Sequence, residues 1–183
     1  MSPAATSLNK HELTIQHSLD GFSYVLVPAA LYREDKKEQY LDFLGLKKEN
    51  CVVCADYIEI ADLYNVYYTS DKESRHPTSV LLENLIKENL ERTDDNRIYL
   101  NVKDQHFEMF VLKGAKLLFY NTFRFKTKED FLYFLLFSME QLHLDTETVP
   151  VYFLGMIEEG SQIAELVARY VRDVRFKKEL QCE

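Results

Sequence analysis

The residues with the clearest chemical potential lie at a short turn near the start of the chain. There, Asp20-Gly21 is followed closely by Ser23. Backbone N–H groups of a glycine-containing turn can surround a phosphate, while a nearby carboxylate holds Mg²⁺ through water. Asp-Gly is equally a strong signal for an ordinary hairpin turn. Two interpretations of Asp20, Gly21 and Ser23 therefore stay open, a nucleotide-phosphate turn and a plain hairpin.

Other candidate chemistries lack the residues they need. Cys51-Val-Val-Cys54 has neither a second cysteine pair nor nearby histidines, and its β-branched centre predicts a strand that points the two thiols to opposite faces. The strand predicted at Leu13–His17 carries no carboxylate for a two-metal nuclease. No G-x-S-x-G or comparable nucleophile setting accompanies the histidines at positions 11, 17, 76, 106 and 143. We therefore predict no metal site and lean against an enzyme.

Charge and hydropathy restrict the partners further. A formal net charge of −8 argues against binding to a nucleic-acid backbone. No apolar run reaches membrane-spanning length, and residues 1–10 contain no apolar core of a signal peptide. Three cysteines in 183 residues fit a reducing compartment. These features predict a cytoplasmic protein with no nucleic-acid partner and no membrane insertion.

The second half of the chain has the clearest pattern of elements. Strands are predicted at Ile98–Val102, Phe107–Leu112 and Lys116–Tyr120, and their short turns make them antiparallel neighbours. Thr127 is expected to cap a helix whose inward face is formed by Phe131, Phe134, Leu135, Ser138, Met139 and Leu142. Val151–Leu154 suits a buried parallel strand, and a last helix is expected from Ser161 through Val174. A mixed sheet covered by helices follows from this order.

The first half is predicted to begin with a hairpin, Leu13–His17 paired with Phe22–Val27. Two further strands are expected at Cys51–Asp56 and Val66–Thr69, with a helix after Pro77. The polar segment Arg92–Asn96 resembles a linker. We therefore place one lobe at residues 11–95 and a second at residues 96–176.

The predicted helix after Thr127 is apolar nearly all round. Burial on both sides explains that composition, but exposure of Tyr133 and Phe137 would instead create a surface for a protein partner. Tyr133 and Phe137 are therefore the candidate partner-binding residues.

Several blocks of sequence, taken together, resemble an uncharacterised bacteroidete domain-of-unknown-function family whose members have an actin-like, ribonuclease H-like fold. The blocks are Ser18–Tyr24, Val27–Leu31, Tyr120–Arg124 and Glu129–Phe137. The stretch Ile98–Phe123 is similar to the opening of the second lobe in actin-like ATPases. In that family more strand and loop separate the first block from the second, whereas here the two blocks nearly touch. We therefore expect either an abbreviated first lobe or a chain that lacks part of it.

The resemblance implies an α/β actin-like ATPase fold and, with it, a possible ATP and Mg²⁺ site at Asp20, Gly21, Ser23 and Asn101. The equivalent second-lobe turn, Asn101–His106, contains no glycine that would let backbone approach a phosphate closely. We therefore expect a bacterial, non-catalytic protein of this fold that needs no cofactor and serves as a protein-binding or scaffold module, with a protein partner or by self-association. A nucleotide-binding actin-like ATPase with a degenerate phosphate site is the alternative.

Overall fold

The computed structural model describes residues 14–17, 23–42, 51–91 and 94–177. These form two compact units, one within residues 8–88 and one within residues 89–183. Among the described residues, no helix is long and apolar enough to cross a membrane.

The N-terminal unit is built on an antiparallel sheet with the strand order β1-β2-β4-β3. Its strands are β1 (Thr14–His17), β2 (Ser23–Pro28), β3 (Val52–Ile58) and β4 (Leu63–Thr69), and its helices are α1 (Gln39–Asp42) and α2 (Pro77–Asn89). Short 3₁₀ turns lie at Ala29–Leu31, Glu34–Lys36 and Glu59–Ala61. β1 and β2 form the predicted hairpin, in which His17 is paired with Ser23.

The C-terminal unit contains a mixed sheet with the order β7-β6-β5-β8-β9. The predicted meander comprises β5 (Asn96–Val102), β6 (His106–Lys113) and β7 (Lys116–Arg124). β8 (Val151–Gly155) pairs with β5 in the parallel orientation predicted from its apolar sequence. Helices α3 (Lys128–Gln141) and α4 (Gln162–Val167) complete the unit.

Helix α3 begins at the residue that the sequence indicated. Thr127 Oγ1 accepts a hydrogen bond from the Asp130 backbone N–H at 3.1 Å, and the Asp130 carboxylate accepts one from the Thr127 N–H at 3.1 Å. Together these bonds form a capping box. Backbone N–H donation from Lys126 and Thr127 lowers the pKa of Asp130. Of the six residues predicted to face inward, Phe131, Leu135, Ser138 and Met139 are buried, whereas Phe134 and Leu142 are half-buried against the core.

The sequence prediction for the end of this unit was wrong. The predicted helix through Val174 ends at Val167, and Val174–Phe176 form a ninth strand, β9, parallel to β8. Val171 nevertheless remains buried beside the core. The chain after α4 thus keeps the helical spacing of its apolar residues without forming a helix. Apolar periodicity alone could therefore not distinguish this turn from a continued helix.

Candidate functional site

The predicted phosphate turn is only partly within the described structure. Asp20 and Gly21 lie outside the described residues. Ser23 is the first residue of β2. Asn101 therefore provides the structural test of the predicted nucleotide site.

The Asn101 side chain is engaged in a network with the neighbouring strands. Asn101 and Glu108 are direct partners in the β5–β6 register, and the Asn101 amide donates to a Glu108 carboxylate oxygen at 2.7 Å. The Tyr120 hydroxyl donates to the other Glu108 oxygen at 2.8 Å. Lys103 Nζ lies 3.5 Å from Glu108. Burial raises the pKa of Tyr120 above its usual range, which keeps its hydroxyl protonated as a donor.

Gly155, at the end of β8, lies against the same residue. Its φ is +76°, and a Cβ placed there would lie 2.6 Å from Asn101 Oδ1 and 2.3 Å from the Val102 carbonyl oxygen. Glycine is thus required by close approach as well as by backbone conformation. Asn101 is held between Glu108 and this glycine.

This arrangement does not fit a nucleotide phosphate at Asn101. A phosphate would meet the Glu108 carboxylate, which is 1% exposed and already accepts bonds from Asn101 and Tyr120. Like charges at such a buried position repel strongly. The site that the fold would imply at Asn101 is therefore a closed structural network of Asn101, Glu108 and Tyr120, which we call the Glu108 network.

The two predicted partner-binding residues lie on the outer side of α3. Tyr133 is 57% exposed, whereas Phe137 is half-buried. Their rings stack with centroids 5.8 Å apart. The pair therefore presents one open aromatic ring, that of Tyr133, at the surface of α3.

A groove between α3 and the α4 region contains both rings. Its volume is about 430 Å³. Apolar and aromatic side chains form most of the lining, with two carboxylates completing it: Glu129, Leu132, Tyr133, Leu136, Phe137, Glu140, Leu166 and Tyr170. We call this the α3/α4 groove. Tyr170, in the turn after α4, is 52% exposed and provides a second open aromatic ring in the same groove as Tyr133.

The sequence did not predict all residues of the α3/α4 groove or of the Glu108 network. Leu166 and Tyr170 lie within the range predicted as a helix, Ser161 through Val174, and nothing in the sequence indicated that they line a groove with α3. Glu108 was not singled out, although the three-residue turn after Val102 sets a register that brings it opposite Asn101.

Two of the three cysteines lie in the described part of the chain. Cys51 and Cys54 are free and half-buried. Within the described ranges, no three His, Cys, Asp or Glu side chains cluster in a way that would hold a metal ion.

Comparison with known proteins identifies the fold. A family model described as a protein of unknown function, DUF3822, matches residues 21–174. A Bacteroides thetaiotaomicron protein with an actin-like ATPase fold and unknown function superposes with a TM-score of 0.72 at 17% identity, over 84% of this chain and 64% of that one. The present chain therefore has the actin-like ATPase fold predicted from its sequence.

A chain from the PilM–PilN type IV pilus biogenesis complex also matches, with a TM-score of 0.50 and 11% identity, over 85% of this chain and 65% of that one. The present chain thus spans somewhat less than two thirds of either solved chain. A search of curated proteins finds no match.

Proposed function

We propose that this chain, which belongs to the DUF3822 family of proteins of unknown function, is a non-catalytic protein-binding module. Its partner docks in the α3/α4 groove. The observation that carries this proposal is the open aromatic lining of the groove, in which Tyr133 and Tyr170 are 57% and 52% exposed. Tyrosine-rich pockets surrounded by apolar contacts are typical of the energetically dominant part of protein interfaces.

The Glu108 network supports a role without nucleotide. A functional phosphate site would need Asn101 and its surroundings to be free for a ligand, yet Glu108 and Gly155 engage the Asn101 side chain on both sides. Fold alone does not imply chemistry, because one fold serves many functions. We therefore propose that binding of the partner needs neither ATP nor Mg²⁺.

Two further observations fit this role. A chain sharing this fold occurs in the PilM–PilN complex, so the fold is compatible with protein–protein assembly. The free thiols of Cys51 and Cys54 fit a reducing compartment, and we place the protein in the cytoplasm.

Site-specific photocrosslinking in cells that naturally produce the chain tests this proposal. A benzoylphenylalanine at position 133 should give a defined protein adduct, and the same group at the exposed Tyr57 of the N-terminal unit should not. Adding Tyr170→Ser should abolish the adduct at position 133. In extract depleted of nucleotide, added Mg-ATP should leave its yield unchanged.

Two results would contradict the proposal. Identical adducts at positions 133 and 57 would show that the groove has no selectivity. An adduct at position 133 that forms only with Mg-ATP would instead revive the nucleotide-dependent alternative.

A further inference from the structure

The groove residues of α3 follow a single helical stripe with a carboxylate at each end. Taking Glu129 as position i, the lining residues lie at i+3, i+4, i+7, i+8 and i+11, namely Leu132, Tyr133, Leu136, Phe137 and Glu140. Eleven residues make just over three whole turns, so Glu129 and Glu140 lie on the same face about 16 Å apart along the helix axis. The stripe is apolar at its centre and acidic at both ends.

The carboxylates have no basic neighbour among the described residues that line the groove. Both glutamates are exposed, and the described residues that line the groove include no lysine or arginine. Among the described residues, neither Glu129 nor Glu140 is in an ion pair. A partner seated along the stripe would therefore meet a carboxylate without an ion-pair partner at each end, among the described residues.

The same spacing argues against a second copy of the chain as the occupant. In a parallel pair of α3 helices related by a twofold axis, each groove glutamate lies beside its own copy, and the alternative is an antiparallel pair. Placing Leu132 opposite Phe137 and Tyr133 opposite Leu136 centres the axis between Phe134 and Leu135. That arrangement also puts Glu129 of one copy opposite Glu140 of the other, twice per dimer, and like charges facing each other oppose association.

We infer that the groove binds an amphipathic helix of another protein that carries Lys or Arg at two positions eleven residues apart, with apolar residues between them. This inference rests on the proposed function and adds the chemistry of the partner. Helices dock in apolar grooves through anchors spaced at i, i+3, i+4 and i+7, which the lining of α3 can receive. Because both ends of the groove are acidic, the charges select the partner without fixing its direction.

A display selection tests the partner chemistry directly. A library of random helical peptides of 20 residues is selected on the full chain and depleted on the Tyr133→Ser/Tyr170→Ser double variant. We expect the enriched peptides to carry basic residues eleven positions apart. Glu129→Gln with Glu140→Gln should weaken their binding about fivefold at low salt, since two exposed ion pairs are lost, and added salt should reduce this difference.

A matched control separates the groove from overall charge. Glu158→Gln with Glu159→Gln removes the same two charges at exposed positions that do not line the groove, and it should leave the dissociation constant unchanged.

Each failure has a distinct meaning. Peptides that need Tyr133 and Tyr170 but lack basic pairs, or ignore both glutamates, would overturn the inference and leave the proposed function in place. Tyr133-dependent dimerisation of the chain in sedimentation would overturn it in favour of a second copy. A selection that yields no peptide preferring the wild type over the double variant would remove the proposed function itself.

Discussion

The Glu108 network and the α3/α4 groove both lie in the C-terminal unit. In each, the exposure of the side chains is the opposite of what their residue types suggest. The network contains amide, carboxylate and hydroxyl groups that chemistry could use, but they satisfy one another, and Glu108 and Tyr120 are each 1% exposed. The groove contains leucine and aromatic side chains that a core would normally bury, yet two of its rings are more than half exposed. Availability, rather than residue type, thus distinguishes a candidate site from a structural element.

The strongest test of this contrast removes the centre of the network. Glu108→Ala leaves the buried Tyr120 hydroxyl, the Asn101 amide and the Lys103 ammonium without their shared acceptor. A buried polar group left without its partner costs about 1–3 kcal/mol, so the loss of both hydrogen bonds to Glu108 should cost about 2–6 kcal/mol in all. We expect a decrease of that size in the free energy of unfolding, measured by urea denaturation.

The matched control is Glu140→Ala, which removes an exposed carboxylate of the groove and should change stability by less than about 0.5 kcal/mol. A loss below about 1 kcal/mol for Glu108→Ala would show that the network is not structural, and Asn101 would again be a candidate for ligand binding.

In both regions, the sequence predicted the helices and strands better than it predicted which side chains are exposed to solvent. The strands of the meander, the Thr127 cap and the inward face of α3 follow from local chemistry, so each could be predicted. Burial of Tyr120 and exposure of Tyr133 depend on how distant segments pack, and side-chain type does not determine that. β9 was missed for a related reason, because Val174–Phe176 becomes a strand only through pairing with β8.

A second, smaller effect is expected at the glycine beside Asn101. Gly155→Ala places a methyl group 2.3 Å from the Val102 carbonyl oxygen, where β5 and β8 pair, and forces a positive φ on a residue with a Cβ. Left-handed conformation costs about 1–2 kcal/mol, and overpacking adds about 1–3 kcal/mol. We expect a total loss of about 3 kcal/mol in thermal or urea unfolding.

Gly160→Ala separates these two contributions. Gly160 also has a positive φ, of +82°, but a Cβ there would meet nothing within 4 Å. Its substitution should therefore cost only about 1 kcal/mol, from conformation alone. Equal losses for the two variants would mean that Gly155 is not tightly packed against Asn101, and that the network is looser than described.

The smallest effect on stability is expected in the groove, where the functional effect should be largest. Tyr133→Ser removes a ring that is 57% exposed, and serine and tyrosine have similar helix propensities, so unfolding should change by less than about 0.5 kcal/mol. The ring does stack on Phe137, which itself is half-buried, and this contact sets the upper limit on the change. A loss above about 1.5 kcal/mol in urea denaturation would mean that Tyr133 supports the fold. Its exposed position would then no longer be evidence for a binding surface, whereas a stable variant that fails to bind the selected peptides would assign Tyr133 to recognition alone.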